Sequence, residues 1–77
     1  MNPIDISIEQ TLNQYFSQLD GERASGLYDL VMGCTERSLL EFLMKKYADN
    51  QSQVAEALGI NRNTLRSKLI KHELKTA

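Results

Sequence analysis

The chain has few of the residues that small proteins often use for covalent or metal stapling. Its 77 residues include one cysteine, one histidine, one proline and no tryptophan. Cys34 alone cannot form an intramolecular disulfide, and with His72 it supplies too few ligands for a zinc tetrad. We therefore expect no disulfide, no metal and no cofactor, and we expect Cys34 to be a small buried apolar residue.

Signals for export, membrane insertion and catalysis are also missing. No apolar run approaches the roughly 20 residues that a membrane-spanning helix needs, and residues 1–7 lack the basic start of a signal peptide. There is no glycine-rich phosphate loop, nucleophile elbow or metal-ligand cluster. The sequence predicts a cytoplasmic protein that is not an enzyme and has no membrane partner.

A short length limits the core that the chain can build. A domain of this size often needs disulfides, a metal or a partner subunit. With the first two excluded, oligomerisation is the option that is left.

Residues 51–69, QSQVAEALGINRNTLRSKL, have the pattern of two helices joined by a tight turn. Gly59 suits the left-handed end of the first helix, Ile60 can fill the corner, and Asn61 can cap the second helix from Arg62. Residues 65, 69 and 72 form its inward stripe. This pattern predicts a helix-turn-helix, whose second helix enters the major groove of DNA.

Charge is distributed unevenly around a net value of −1. Residues 1–50 hold four basic and eight acidic side chains, a net charge of −4, whereas residues 51–77 hold five basic and two acidic ones, a net charge of +3. Every charged side chain between Ile60 and His72 is positive. Because phosphate attraction acts within roughly 10 Å at moderate salt, the local charge favours double-stranded DNA as the partner.

Two further helices are predicted before this unit. Ser7-Ile8-Glu9-Gln10 resembles a capping box, and an apolar stripe with helical spacing follows up to the break at Asp20-Gly21. Ser25 can cap a long helix over residues 27–47. The second part of that helix is apolar around most of its circumference, so it needs cover on every side. The economical cover is a second copy, which gives a homodimeric four-helix core.

The sequence resembles the Fis family of bacterial nucleoid-associated proteins over residues 8–72. The match is carried by Leu12-Asn13-Gln14-Tyr15-Phe16, by Leu27-Tyr28-Asp29-Leu30-Val31, and by Asn50-Gln51 with residues 59–66, GINRNTLR. The last motif is shared with the DNA-binding ends of NtrC-type activators. The stretch at residues 27–31 and the free-standing length favour Fis itself. Ser38, Ser52, Ser67 and Ile70 depart from the family pattern.

This resemblance implies an all-α single domain over residues 1–77, with dimerisation helices at 8–47 and the helix-turn-helix at 50–72. It implies that the protein binds and bends DNA in transcription regulation and nucleoid organisation. Asn61 and Arg62 would reach base edges, and phosphates would be held by Asn50, Thr64, Arg66, Lys68 and Lys71; Ser52 and Asn63 complete the expected DNA-binding set. The expected dimer interface comprises Leu12, Tyr15, Phe16, Leu27, Leu30, Val31, Cys34, Leu40 and Leu43.

Partners and alternative functions follow from the same resemblance. RNA polymerase is a further expected partner, whereas stimulation of a recombinase is not expected, because residues 1–7 are too few for the N-terminal hairpin that this activity uses. One alternative is the DNA-binding output module of an NtrC-type activator, which the initiating methionine and the long dimerising helix disfavour. Another is a helical protein-interaction module.

Overall fold

The computed structural model describes residues 1–75 and places most of them in four α-helices. No strand occurs in these residues, so the all-α prediction is confirmed. No helix among them has both the length and the hydrophobicity to cross a membrane. The later three helices match their predicted bounds to within one residue. The helices are α1 (Pro3–Ser17), α2 (Leu27–Lys46), α3 (Gln51–Leu58) and α4 (Arg62–Lys71).

Helix α1 begins five residues earlier than predicted. Asn2 is its N-cap: the Asn2 Oδ1 accepts the Asp5 N–H at 2.9 Å, and the Asp5 carboxylate accepts the Asn2 N–H at 3.3 Å. Pro3 occupies the first helical position, where its missing N–H costs nothing. The predicted start at Ser7 is wrong because this complete capping box lies upstream of it.

The connection between α1 and α2 also differs from the prediction. Gly26, not Ser25, immediately precedes α2; its φ is +68°, and its carbonyl accepts the Leu30 N–H at 3.0 Å. Ser25 instead contacts α1 through its backbone. The Tyr15 hydroxyl donates to the Ser25 carbonyl at 3.3 Å and lies 3.4 Å from the Ser25 N–H.

The chain forms two compact units, and the boundary between them falls within α2. Unit 1 is Met1–Cys34 and has no fully buried side chain. The predicted stripe of α1 is only half-buried there, and Phe16 is 51% exposed. Cys34 is exposed in the single chain, so its burial stays a prediction that requires the second copy. Unit 1 therefore leaves much of its apolar surface uncovered.

Unit 2 begins at Thr35 and contains the buried core. Leu40 of α2 packs with side chains from α3 and α4, and it is only 1% exposed. Leu43 lies at the edge of this core. The assignment of Leu40 to the dimer interface is therefore corrected, because its own chain already covers it. The buried set is Leu40, Val54, Ala55, Leu65 and Leu69, flanked by Leu43, Met44, Tyr47, Leu58, Ile60 and Leu74.

Three helices of unit 2 end in the same way. After each one a residue with positive φ reverses the chain: Ala48 (51°), Gly59 (76°) and Glu73 (59°). A backbone N–H then reaches a carbonyl five residues back, as in Asp49 to Met44 (2.8 Å) and Leu74 to Leu69 (2.8 Å). These are the bonds of the Schellman motif, which satisfies carbonyls that the helix leaves free.

Candidate nucleic-acid interface

The turn between α3 and α4 forms as the sequence predicts. Gly59 adopts the left-handed conformation, and the Ile60 N–H donates to the Ala55 carbonyl at 3.1 Å. Ile60 then packs against the core. The Asn61 Oδ1 accepts the Asn63 N–H at 2.7 Å and so caps α4. Because Ala55 is small and 4% exposed, it lets the two helices approach closely. The helix-turn-helix is confirmed.

Helix α4 buries one stripe and leaves two polar edges. Leu65 and Leu69 are fully buried, and the His72 side chain is only 10% exposed. With 3.6 residues per turn, the remaining positions divide into two groups on either side of that stripe. We call these groups the first edge, which comprises Arg62, Asn63 and Arg66, and the second edge, which comprises Thr64, Lys68 and Lys71.

The first edge lines an open groove of about 520 Å³. The opposite wall is formed by the first turn of α3 and the residues just before it. Lys75, in the turn after α4, also lines the groove. The groove thus gathers five of the predicted DNA-binding residues, together with others that were not predicted. Its lining is Asp49, Asn50, Gln51, Ser52, Arg62, Asn63, Arg66 and Lys75.

Hydrogen bonds order both walls of this groove. The Asn50 Oδ1 accepts the Gln53 N–H at 3.1 Å, so Asn50 is the N-cap of α3. Across the groove, the Arg62 Nη1 lies 3.5 Å from the Ser52 Oγ, at the long limit of a hydrogen bond. Ser52 can therefore orient the Arg62 guanidinium from the neighbouring helix. Both side chains are exposed and accessible to a ligand.

Lys68 on the second edge has a partner within the protein. Its Nζ donates to the Glu36 Oε2 at 2.8 Å, and the Glu36 Oε1 accepts from the His72 Nε2 at 2.8 Å. One carboxylate of α2 therefore binds two side chains that are one turn apart on α4. Both bonds to Glu36 join residues more than 30 positions apart in the chain, so no local pattern indicates them. Thr64 and Lys71 are exposed.

The neighbouring residue on α2 strengthens this attachment. The Arg37 Nη1 donates to the His72 carbonyl, at the C-terminal end of α4, and the Arg37 Nε pairs with the Glu41 Oε1 at 2.8 Å. A cation beside the last carbonyls of a helix interacts favourably with the helix dipole. Glu36 and Arg37 together attach the end of α4 to α2.

The environment of Glu36 stabilises its charged form. The hydrogen bond from Lys68 lowers the pKa of the Glu36 carboxyl below its ordinary value of 4.5. The hydrogen bond from His72 and the positive charge of Lys71 act in the same direction, and partial burial opposes them. Glu36 is therefore a carboxylate at neutral pH, and the ion pair with Lys68 is formed there.

The structure brings together some of the predicted DNA-binding residues and separates others. Asn50, Ser52, Arg62, Asn63 and Arg66 share the groove, whereas the second edge lies outside it. Asn61 is at the helix start as its cap. The prediction missed Gln51 and Lys75 as groove residues; the positive charge of Lys75 was a signal, but its position depends on how the chain turns after α4.

Comparisons with known proteins agree with this architecture. Residues 35–72 match the family model described as "Bacterial regulatory protein, Fis family". The matched segment lies within unit 2 and includes the whole helix-turn-helix.

Relatives extend the similarity over nearly the whole chain. A protein of Ralstonia nicotianae named as Fis-like and DNA-binding is 51% identical over 73 residues, which cover 95% of each chain. A protein of Neisseria meningitidis serogroup B with the same name is 49% identical over 72 residues, or 91% of each chain. The DNA-binding protein Fis of Actinobacillus succinogenes is 46% identical over 70 residues, which cover 91% of this chain and 71% of the relative. With identities at this level over nine-tenths of its length, the chain belongs to the Fis family.

Proposed function

We propose that this chain is a homodimeric, non-enzymatic protein that binds and bends double-stranded DNA, with α4 as its recognition helix in the major groove. The observation that carries the proposal is the groove between α3 and α4. There, three cations and the first turns of two helices face the same open space. The relatives named as DNA-binding proteins support the same function.

Arg62 has the geometry of a base-reading residue. It lies in the first turn of α4, the part of a recognition helix that contacts base edges. Arginine forms two parallel hydrogen bonds with O6 and N7 of guanine. The Ser52 hydroxyl on α3 lies 3.5 Å from the Arg62 Nη1, where it can help to orient the guanidinium. Asn61 retains its amide N–H donors for a base, because the hydrogen bond that caps α4 uses only its oxygen.

Phosphate contacts are proposed on both sides of α4. On the first edge, Arg66 and Lys75 face the groove, where the free N–H groups in the first turn of α3 also favour an anion. Thr64 and Lys71 supply the second edge. A helix in the major groove lies between two phosphate backbones, so cations on both edges allow it to contact each strand. Asn50, Ser52 and Asn63 complete the proposed DNA-binding residues.

The homodimer is proposed from the uncovered apolar surface of unit 1. Monomeric domains rarely leave so many large apolar side chains exposed without an interaction role. A two-fold dimer would present two copies of α4 to successive turns of one face of the duplex. We include DNA bending because a duplex that curves towards the protein brings its flanking phosphates closer to basic side chains. The added contacts offset the energy of deforming the DNA. The large apolar side chains that are exposed in unit 1 are Met1, Ile4, Ile6, Phe16, Tyr28 and Met32.

In a bacterial cell, a protein of this kind acts on chromosomal DNA in the cytoplasmic nucleoid, where it regulates transcription, with RNA polymerase as a proposed partner. Recombinase stimulation is not part of the proposal.

The test is DNA binding measured across salt and across sites of different sequence. Arg62→Ala should cost roughly 1–3 kcal/mol at the preferred site and reduce discrimination between sites, because a base contact is lost. Arg23→Ala is the matched control, since it removes an exposed arginine of unit 1 that lies far along the chain from the helix-turn-helix.

Two results would contradict the proposal. Wild-type binding that does not weaken as salt rises would exclude phosphate contacts, because counterion release makes such binding salt-dependent. Equal weakening of Arg62→Ala at all sequences would assign Arg62 to a phosphate instead of a base.

A further inference from the structure

We propose that Glu36 acts as an internal substitute for a DNA phosphate: it occupies the Lys68 ammonium and keeps this lysine out of the protein's contacts with DNA. The inference rests on the proposed function, because it concerns how many cations of α4 reach the duplex. It makes Glu36 a positioning residue that sets the affinity of the second edge for DNA.

The geometry of the carboxylate supports this role. Each Glu36 oxygen has its own donor at 2.8 Å, Lys68 on one side and His72 on the other. Because the carboxylate is an acceptor, the His72 Nε2 must carry a proton, and this bond holds Glu36 in place beside Lys68. The Glu36 side chain is 26% exposed, so solvent screens the pair less than it screens fully exposed ions.

Lys68 would otherwise be well placed for a phosphate. It lies on the second edge with Thr64 and Lys71, and its side chain is still 35% exposed. Moving its ammonium to a phosphate would break the short bond to Glu36. The carboxylate would then lose the hydrogen bond from Lys68 and keep the one from His72. The lysine is therefore neutralised before DNA arrives, and it displaces no additional counterion from the duplex.

The neighbouring charges show that this arrangement is specific to Glu36. Glu41, one turn further along α2, pairs with Arg37 of the same helix and not with a cation of α4. Among the residues that the structure describes, Lys71 forms no ion pair with a carboxylate. Only one of the two lysines on the second edge is thus occupied by the protein itself.

The experiment is a two-residue cycle of salt-dependent DNA binding with wild type, Glu36→Gln, Lys68→Ala and the double variant. Each phosphate contact contributes about 0.9 to the slope of log affinity against log salt. Glu36→Gln keeps an oxygen that can accept from His72 but removes the negative charge that holds Lys68. The proposed homodimer carries two copies of Lys68, so we expect the Glu36→Gln slope to steepen by about 1.8, or about 0.9 per subunit, and its affinity at low salt to rise. Lys68→Ala alone should leave the wild-type slope unchanged, and the double variant should return to that slope.

Glu41→Gln is the matched control, because it removes an acidic charge from the same helix without releasing a cation of α4, and it should not steepen the slope. A Lys68→Ala slope that is shallower by about 1.8, or about 0.9 per subunit, would overturn the inference, since Lys68 would then already hold a phosphate. An unchanged slope for Glu36→Gln would overturn it as well. If wild type shows no salt-dependent binding at all, the proposed function fails, and the two failures are thereby distinguished.

Discussion

Asparagine side chains fix where three of the four helices begin. The Asn2, Asn50 and Asn61 oxygens each accept a backbone N–H from the first turn of the following helix, at 2.9, 3.1 and 2.7 Å. Such a cap contributes about 1 kcal/mol relative to alanine. Two of these residues also belong to the proposed interface. Their substitution by alanine would therefore lower both helix stability and DNA binding, and it cannot separate the two roles.

Glu36 allows a prediction at the residue scale that does not involve DNA. Its pKa is lowered in the folded protein, chiefly by the hydrogen bond from Lys68. A carboxyl with a depressed folded pKa stabilises the protein above its unfolded pKa, and this contribution is lost as pH falls through the folded value. Wild type should therefore lose stability as pH falls below about 4.5, and Glu36→Gln should lose less over that range.

Denaturant unfolding at a series of pH values measures this difference. Glu41→Gln provides the comparison, because Glu41 is another glutamate of α2 that pairs with a cation. Its partner, Arg37, is on the same helix and not on α4. The stabilities of wild type and Glu36→Gln should differ most at neutral pH and converge in acid. If wild type and Glu36→Gln show parallel stability curves below pH 5, the pair with Lys68 does not stabilise the fold.

At the scale of elements, the helix-turn-helix could be predicted well because its signals are local. Gly59 and Asn61 mark the end of α3 and the start of α4, and the inward residues of α4 follow the helical period. The start of α1 was missed although Asn2, Pro3 and Asp5 carry a complete signal. A second, weaker capping pattern at Ser7 predicts a later start, because the apolar stripe begins next to it.

The rest of the candidate site depends on tertiary structure. Leu40 belongs to the core of unit 2, and Lys68 to an ion pair with α2, because the chain folds back between residues far apart in sequence. Lys75 reaches the groove because Glu73 adopts a positive φ of 59° and reverses the chain after α4. Propensity and periodicity describe one element at a time, so they contain no information about such approaches.

The end of α2 allows a stability prediction at the same scale. Ala48 has a φ of +51°, a conformation that costs a residue with a Cβ roughly 1–2 kcal/mol. Ala48→Gly should relieve this strain at some cost in chain entropy and stabilise the protein by about 0.5–1 kcal/mol. Ala57→Gly, the same change inside α3, should destabilise it by up to about 1 kcal/mol. Thermal and denaturant unfolding would measure both. Destabilisation by Ala48→Gly would contradict the assigned backbone strain.

At the scale of the whole molecule, the two units differ in net charge and in whether they have a buried core. Unit 1 has one basic and five acidic residues and a net charge of −4, whereas the described part of unit 2 has eight basic and five acidic residues and a net charge of +3. Unit 1 lacks a buried core, and unit 2 has one. The acidic unit would be repelled by phosphates, so its exposed apolar surface is better suited to a second copy than to DNA.

Phe16→Asp tests this assignment without disturbing the core of unit 2. Phe16 is 51% exposed in the single chain, so a charge there is tolerated in a monomer but would be buried at the proposed dimer interface. Burying an unpaired carboxylate costs several kcal/mol, and about 3 kcal/mol already weakens association roughly 100-fold. Leu43→Asp is a poorer test, because Leu43 packs against the core and its loss would unfold unit 2 directly.

Sedimentation over a range of concentrations should show wild type as a dimer at micromolar concentration and Phe16→Asp as a monomer. Gln14→Asp places the same charge at an exposed polar position of α1 and should remain dimeric. Because unit 1 has no buried core of its own, the monomeric variant should also lose part of its helical circular dichroism signal. The helix-turn-helix should stay folded and keep its share of that signal. A wild type that sediments as a stable monomer at micromolar concentration would refute the dimer, and the exposed face of unit 1 would then require a different partner.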